Sequence, residues 1–264
     1  MGKLDPLFEQ TRGEGRAALV GYLPAGYPTL VESKDALAAM IEGGCDLVEV
    51  GVPFSDPVLD GPTIQAASDT ALRAGFRLRD LFGVVESVAS AGGRAVVMTY
   101  WNPVYRYGVD AFSRDLAGAG GLGIITPDLV PDEADEWMAA SAAHDLDRIF
   151  MIAPASTEER IVRTVAAASG FVYAASVMGV TGARDAVSRT APELVRRARA
   201  HTELPIAVGL GVRSGEQAAE VAAFADAVIV GSAFVTRAAE GVESVQVLAA
   251  ELAEGVRSTP ATIG

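Results

Sequence analysis

Leu47-Val48-Glu49-Val50-Gly51-Val52-Pro53-Phe54-Ser55-Asp56-Pro57-Val58-Leu59-Asp60-Gly61-Pro62 opens as an apolar, β-branched run and closes in a tight turn carrying two aspartates. The run reads as a strand buried on both faces, the pattern of a parallel sheet covered by helices. Glu49 breaks it. A carboxylate in the middle of such a strand is costly unless it is paired, hydrogen-bonded or protonated. Core packing gives no reason for it, so the residue points to catalysis. Strand alternation sets Leu47, Glu49 and Gly51 on one face and Val48 and Val50 on the other.

Similar short apolar runs recur at residues 17–23, 95–100, 123–126, 149–153, 171–177, 206–210 and 227–230, which with 47–52 makes eight. Stretches of helical periodicity lie between them at 30–41, 110–119, 132–143, 157–168, 191–200 and 215–224. Start signals stand at Pro131-Asp132-Glu133, Ser156-Thr157-Glu158-Glu159 and Ser214-Gly215-Glu216. Alternating strands and helices mean a parallel sheet, and eight units in roughly 250 residues is the size of a closed barrel. The expected fold is therefore α/β, a (β/α)8 TIM barrel forming a single domain over 1–264. Extra helices are expected at the N-terminus (4–11), after strand two (63–74 and 79–91) and after strand eight (233–240 and 243–256). An open doubly wound sheet is the alternative, but Tyr22-Leu23-Pro24-Ala25-Gly26 stands after the first strand in place of the glycine-rich dinucleotide fingerprint. In a barrel, Val48 and Val50 pack outward on helices and Glu49 points into the mouth, where such folds keep their chemistry.

The chain has 264 residues, half of them hydrophobic, and a net charge of −13. That charge argues against non-specific binding to nucleic acid or anionic membranes, which relies on basic surface. No apolar run approaches the roughly 20 residues of a membrane span, and the polar start lacks the shape of a signal peptide, so a cytoplasmic location is expected. Cys45, the single cysteine, reads as a core residue, and no metal site is expected. His144 and His201 lie in polar stretches near helix ends and read as solvated residues. Lys3 and Lys34 are the only lysines, and neither lies on a strand end, so a Schiff base is not expected.

Strand seven ends in Gly209-Leu210-Gly211 and strand eight in Gly231-Ser232 before a helical stretch. Glycines alone often serve only a turn. At strands seven and eight of a barrel, however, they sit where phosphate is held by backbone amides and a helix N-terminus. The glycine-punctuated loop from Ser176 to Asp185 reads either as a lid or as an exposed connector. Tyr100 offers an aromatic wall or ordinary packing, and residues 127–131 serve the substrate or a partner surface.

The run from Glu49 to Pro62, with Gly179-Val180-Thr181-Gly182-Ala183-Arg184 and Gly231-Ser232, closely resembles the alpha subunit of tryptophan synthase, and the resemblance covers essentially the whole chain. It implies a lyase that cleaves indole-3-glycerol phosphate to indole and glyceraldehyde 3-phosphate. Indole then passes to a beta subunit in an α2β2 assembly, with pyridoxal phosphate held by that partner and no cofactor in this chain. By resemblance, Glu49 and Asp60 are the catalytic pair, Gly182, Gly211, Gly231 and Ser232 bind phosphate, and Tyr22, Tyr100, Tyr173 and Thr181 line the substrate or close the loop. Asp56, Pro57, Asn102 and Asp128 are expected to face the beta subunit. Leu59, Leu210 and Val130 depart from residues common in the family. A stand-alone indole-releasing lyase, or a barrel retained mainly as an activating partner, are the alternatives.

Overall fold

The computed structural model describes residues 2–175 and 190–258. Eight parallel strands close into a barrel in sequence order: β1 (Ala18–Pro24), β2 (Leu47–Gly51), β3 (Ala95–Met98), β4 (Gly123–Thr126), β5 (Asp147–Ile152), β6 (Val172–Ala175), β7 (Ile206–Gly209) and β8 (Ala227–Val230). Pairing of Ala18 with Ala227 and Val20 with Ile229 joins the last strand to the first, which rules out an open sheet. The alternation expected for β2 holds. Leu47 lies in the interior cluster with Val20, Val96, Ile125, Ile149 and Ala207, whereas Val48 and Val50 belong to the larger cluster under the helices.

The outer layer comprises α2 (Leu30–Glu42), α4 (Asp80–Ser90), α6 (Val109–Gly118), α7 (Asp135–His144), α8 (Glu158–Ala167), α9 (Thr190–Arg199) and α10 (Gly215–Ala222). Local side chains start several of them. Thr29, Thr157 and Ser214 each accept the amide three residues on, satisfying a first-turn donor. The expected extra helices are α1 (Asp5–Gly13), α3 (Pro62–Arg73), α11 (Ser232–Glu240) and α12 (Val242–Ser258), the last packing on α2 and α10.

Two local readings need correction. Residues 132–143 do not form one helix: Pro131–Glu133 make a single 3-10 turn, and Ala134, at φ −101° and ψ 15°, separates it from α7. Strand three stops at Met98, and an unexpected helix α5 (Trp101–Tyr107) follows Tyr100. Its first amide, Trp101 N–H, is accepted at 2.8 Å by the Asp128 carboxylate. A cap supplied 27 residues away leaves no local start signal. Pro103 is tolerated because it sits in the first turn, where its missing N–H is not needed.

Helix α1 closes the bottom of the barrel. Leu4, Leu7 and Phe8 join the interior cluster, with the Phe8 ring 5.9 Å from that of Phe171. Buried Asp147 fixes this plug, accepting Leu4 N–H at 2.8 Å and the Ser169 hydroxyl at 2.8 Å. Asp147→Ala strands both donors. It should cost about 1–3 kcal/mol of stability, the penalty of unsatisfied buried groups, with the chemistry at the other end unchanged. Urea unfolding beside an activity assay checks this, and equal stability would remove Asp147 from that role.

Candidate active site

The mouth of the barrel gathers two carboxyls and three tyrosines. Glu49 is fully buried at the centre of β2, and neither of its carboxyl oxygens has a hydrogen-bond partner among the described residues. Burial pushes this carboxyl from the ordinary 4.5 up to about 8. The residue is thus protonated at neutral pH, which relieves the cost of holding a carboxyl in an apolar strand.

Tyr22 on β1 pairs in register with Glu49, and Tyr173 stands on β6. Each ring occupies the space of a missing side chain on the neighbouring strand. A Cβ on Gly51 would fall on the Tyr22 hydroxyl, and one on Gly209 would lie 2.6 Å from the Tyr173 hydroxyl. Burial raises both phenols well above their usual range. The Asp60 and Glu49 charges add to the effect at Tyr22, and that of Glu49 adds to it at Tyr173. Tyr22 therefore lies in the field of both carboxyls.

Asp60 sits in the loop before α3 and is half-buried. Burial raises its carboxyl, opposed by a hydrogen bond from the Tyr100 hydroxyl. Tyr100 does more than form an aromatic wall. Its hydroxyl accepts the amides of Val58 at 3.1 Å and Leu59 at 3.0 Å while donating to Asp60, and its ring lies 5.1 Å from that of Phe54. One phenol organises the turn from Phe54 to Asp60. The sequence signals an aromatic residue at a strand end but not this set of hydrogen bonds.

After β7, Gly211 has φ +76°, a left-handed conformation that favours glycine, and open space where a Cβ would stand. Ser232 begins α11, whose N-cap, Gly231, gives no side-chain cap. By contrast, Ser214 caps α10. The uncapped amides of α11 lie beside Tyr22, whose Cδ1 is 3.5 Å from the Cβ position of Gly231. A helix N-terminus with unsatisfied donors at a barrel mouth suits a phosphate. Thr181 and Gly182 lie outside the described residues.

The family model for the tryptophan synthase alpha chain matches residues 8–262. The chain belongs to the tryptophan synthase alpha chain family. It is 65% identical over 256 residues to the tryptophan synthase alpha chain of Nocardia farcinica, covering 97% of this chain and 96% of that one. The alpha chain of Mycobacterium marinum is 63% identical over 255 residues, covering 97% and 95%. Among solved structures, tryptophan synthase of Mycobacterium tuberculosis superimposes with a TM-score of 0.94 at 61% identity, covering 97% of this chain and 98% of that one.

Asp56, Asn102 and Asp128 are exposed and Pro57 is half-buried. Beside them stand apolar side chains that sequence reasoning did not single out: Val58 is 75% exposed, Leu59 59% and Tyr105 62%. Leu59, a departure from the common family residue, is therefore an exposed apolar side chain. Tyr100 joins these pieces, holding the 58–59 backbone from a position directly before α5.

The other predicted features fall as follows. Cys45 is a buried core residue whose thiol burial pushes upward. His144 ends α7 with Nε2 2.8 Å from Asp110, and His201 follows α9 with Nε2 3.4 Å from Glu158. No group of three or more His, Cys, Asp or Glu among the described residues is placed to hold a metal ion.

The raised Glu49 carboxyl carries a sign that unfolding can read. Between about pH 4.5 and 8 the folded chain keeps this proton and the unfolded chain does not, so stability falls with rising pH. Relative to the wild type, Glu49→Gln should gain stability across that window by at most about 5 kcal/mol, and should show no pH trend below it. Denaturant unfolding of both proteins at pH 5 and 8 tests it; a pH-independent difference would mean Glu49 titrates normally.

Proposed function

We propose that Glu49 and Asp60 carry the alpha-chain reaction of tryptophan synthase in this protein, on one barrel domain spanning 1–264. The chain is a carbon–carbon lyase of that family: it cleaves indole-3-glycerol phosphate to indole and glyceraldehyde 3-phosphate and works with a beta subunit. The observation that supports the catalytic assignment is the buried, proton-holding Glu49 and a second carboxyl, Asp60, both close enough to act on Tyr22.

The reaction needs C3 of the indole protonated, the ring N–H stabilised as the indolenine forms, and a proton taken from the hydroxyl on the carbon attached to the ring. Glu49 can serve both proton steps. Protonated at neutral pH, it gives its proton to C3. As a carboxylate it then receives the hydroxyl proton while the carbon–carbon electron pair returns to the ring and the side chain leaves as an aldehyde. The proton count on Glu49 is restored. Asp60, ionised and steadied by Tyr100, accepts the ring N–H and stabilises the positive charge that develops on nitrogen. Tyr22 and Tyr173 form apolar walls that keep water from these charges. The amides at Gly231 and Ser232, with Gly211, receive the phosphate. Thr181 and Gly182 complete this set by resemblance.

None of these steps draws on a cofactor. In this family pyridoxal phosphate resides in the beta subunit, and we assign none to this chain. Asp56, Pro57, Asn102 and Asp128, with exposed Val58, Leu59 and Tyr105, suit a docking rim for the beta subunit in an α2β2 assembly. The chemistry fits a cytoplasmic chain, and no helix among the described residues is long and apolar enough to cross a membrane.

Glu49→Gln should lower indole release by about 10² to 10⁴ with folding intact, because the amide keeps the shape but carries no proton. Asp60→Asn should bind substrate and cleave it far more slowly. Indole release from purified variants, with and without a beta subunit, checks both; wild-type rates from either would remove that residue from the mechanism. Gly231→Val should weaken glycerol phosphate binding by about tenfold or more while the Glu49 chemistry is retained at saturation, because its Cβ meets the protein only at ordinary distances and would obstruct the ligand instead. A titration showing unchanged affinity would move the phosphate elsewhere.

A further inference from the structure

Between the ends of β4 and β5 and the first turns of α8 lies a cavity of about 280 Å³. Ile125 belongs to the interior cluster, so Thr126 beside it faces the helix layer and this cavity rather than the mouth. Thr126 is only 1% exposed, and its hydroxyl has no hydrogen-bond partner among the described residues. A buried hydroxyl without a partner costs about 1–3 kcal/mol, so something that can bond to it is favoured there. Phe150, Leu129 and Val130 supply apolar wall.

The outer end of the cavity carries two arginines and the carboxylate of Asp132. Arg163 is matched by Asp132 at 3.2 Å and Glu159 at 3.5 Å. Arg160 lines the same cavity, and its guanidinium has no ion pair or side-chain hydrogen bond among the described residues. The lining therefore presents an unpaired positive charge at the exposed side, apolar surface within, and a free hydroxyl at the buried side. None of these groups takes part in the cleavage reaction.

We propose that this cavity is a second ligand site, for a small amphiphilic carboxylate. Its anion meets Arg160, its compact body packs on Phe150 and Val130, and a hydrogen-bonding group meets Thr126. The size suits a single substituted ring, for which a dissociation constant on the order of a millimolar is expected.

Ligand-observed NMR titration of the purified full-length chain tests this with 4-hydroxyphenylacetate, phenylacetate and 4-hydroxyphenylacetamide, in saturating glycerol phosphate so that the catalytic mouth is occupied. Arg160→Gln should weaken both acids by about tenfold or more and leave the amide unchanged. Thr126→Val should weaken 4-hydroxyphenylacetate several-fold and leave phenylacetate unchanged. Because that variant removes an unpartnered hydroxyl at nearly constant shape, it should also unfold no earlier than the wild type. No binding up to about ten millimolar, or affinities that neither variant changes, would overturn the site and leave Thr126 with a buried water only. Loss of binding on adding glycerol phosphate would place the acids in the catalytic mouth and overturn it equally.

Discussion

Closing a parallel sheet on itself creates an interior that side chains must fill, and the arrangement of this protein follows from how that interior is filled at each end. At the bottom it is apolar, sealed by Leu4 and by Leu7 and Phe8 of α1. At the top the same strand positions carry Glu49, Tyr22 and Tyr173. Gly51 and Gly209 give up their own side chains so that the two rings can fit. A carboxyl enclosed in this way cannot be solvated, and its proton becomes part of the resting state.

The two carboxyls share a mouth but differ in what surrounds them. Glu49 has burial and no hydrogen-bond partner among the described residues, so its neutral form is favoured up to about pH 8. Asp60 is less buried; burial raises its carboxyl too, but there the Tyr100 hydroxyl opposes the shift. Burial acts alone on one carboxyl and against a hydrogen bond on the other, and that difference suits a reaction with one moving proton and one developing cation.

Tyr100 also ties the site to the rim. Its hydroxyl is bonded to the backbone of Val58 and Leu59, and it precedes α5, whose start is capped by Asp128. A partner seated on Val58, Leu59 and Tyr105 would bear on the segment that positions Asp60. Coupling along this route requires that the partner favour one arrangement of that segment over another.

The sequence by itself determined the eight-fold strand count, the parallel sheet and the inward direction of Glu49. All three rest on periodicity and on the cost of a lone carboxyl, which are local. It also marked Thr157 and Ser214 as helix starts, since a cap three residues from its donor is written in adjacent letters. Helix α5 was not legible because its cap, Asp128, comes from another loop, and the 132–143 stretch kept a helical pattern across the break at Ala134. Only the tertiary structure decided that Glu49 lacks a hydrogen-bond partner among the described residues, that Tyr100 binds the acidic turn through its hydroxyl, that Leu59 is exposed, and that Thr126 and Arg160 line one cavity. Each of these depends on groups brought together from different strands and loops, and partnership or exposure of that kind exists only once the barrel has closed.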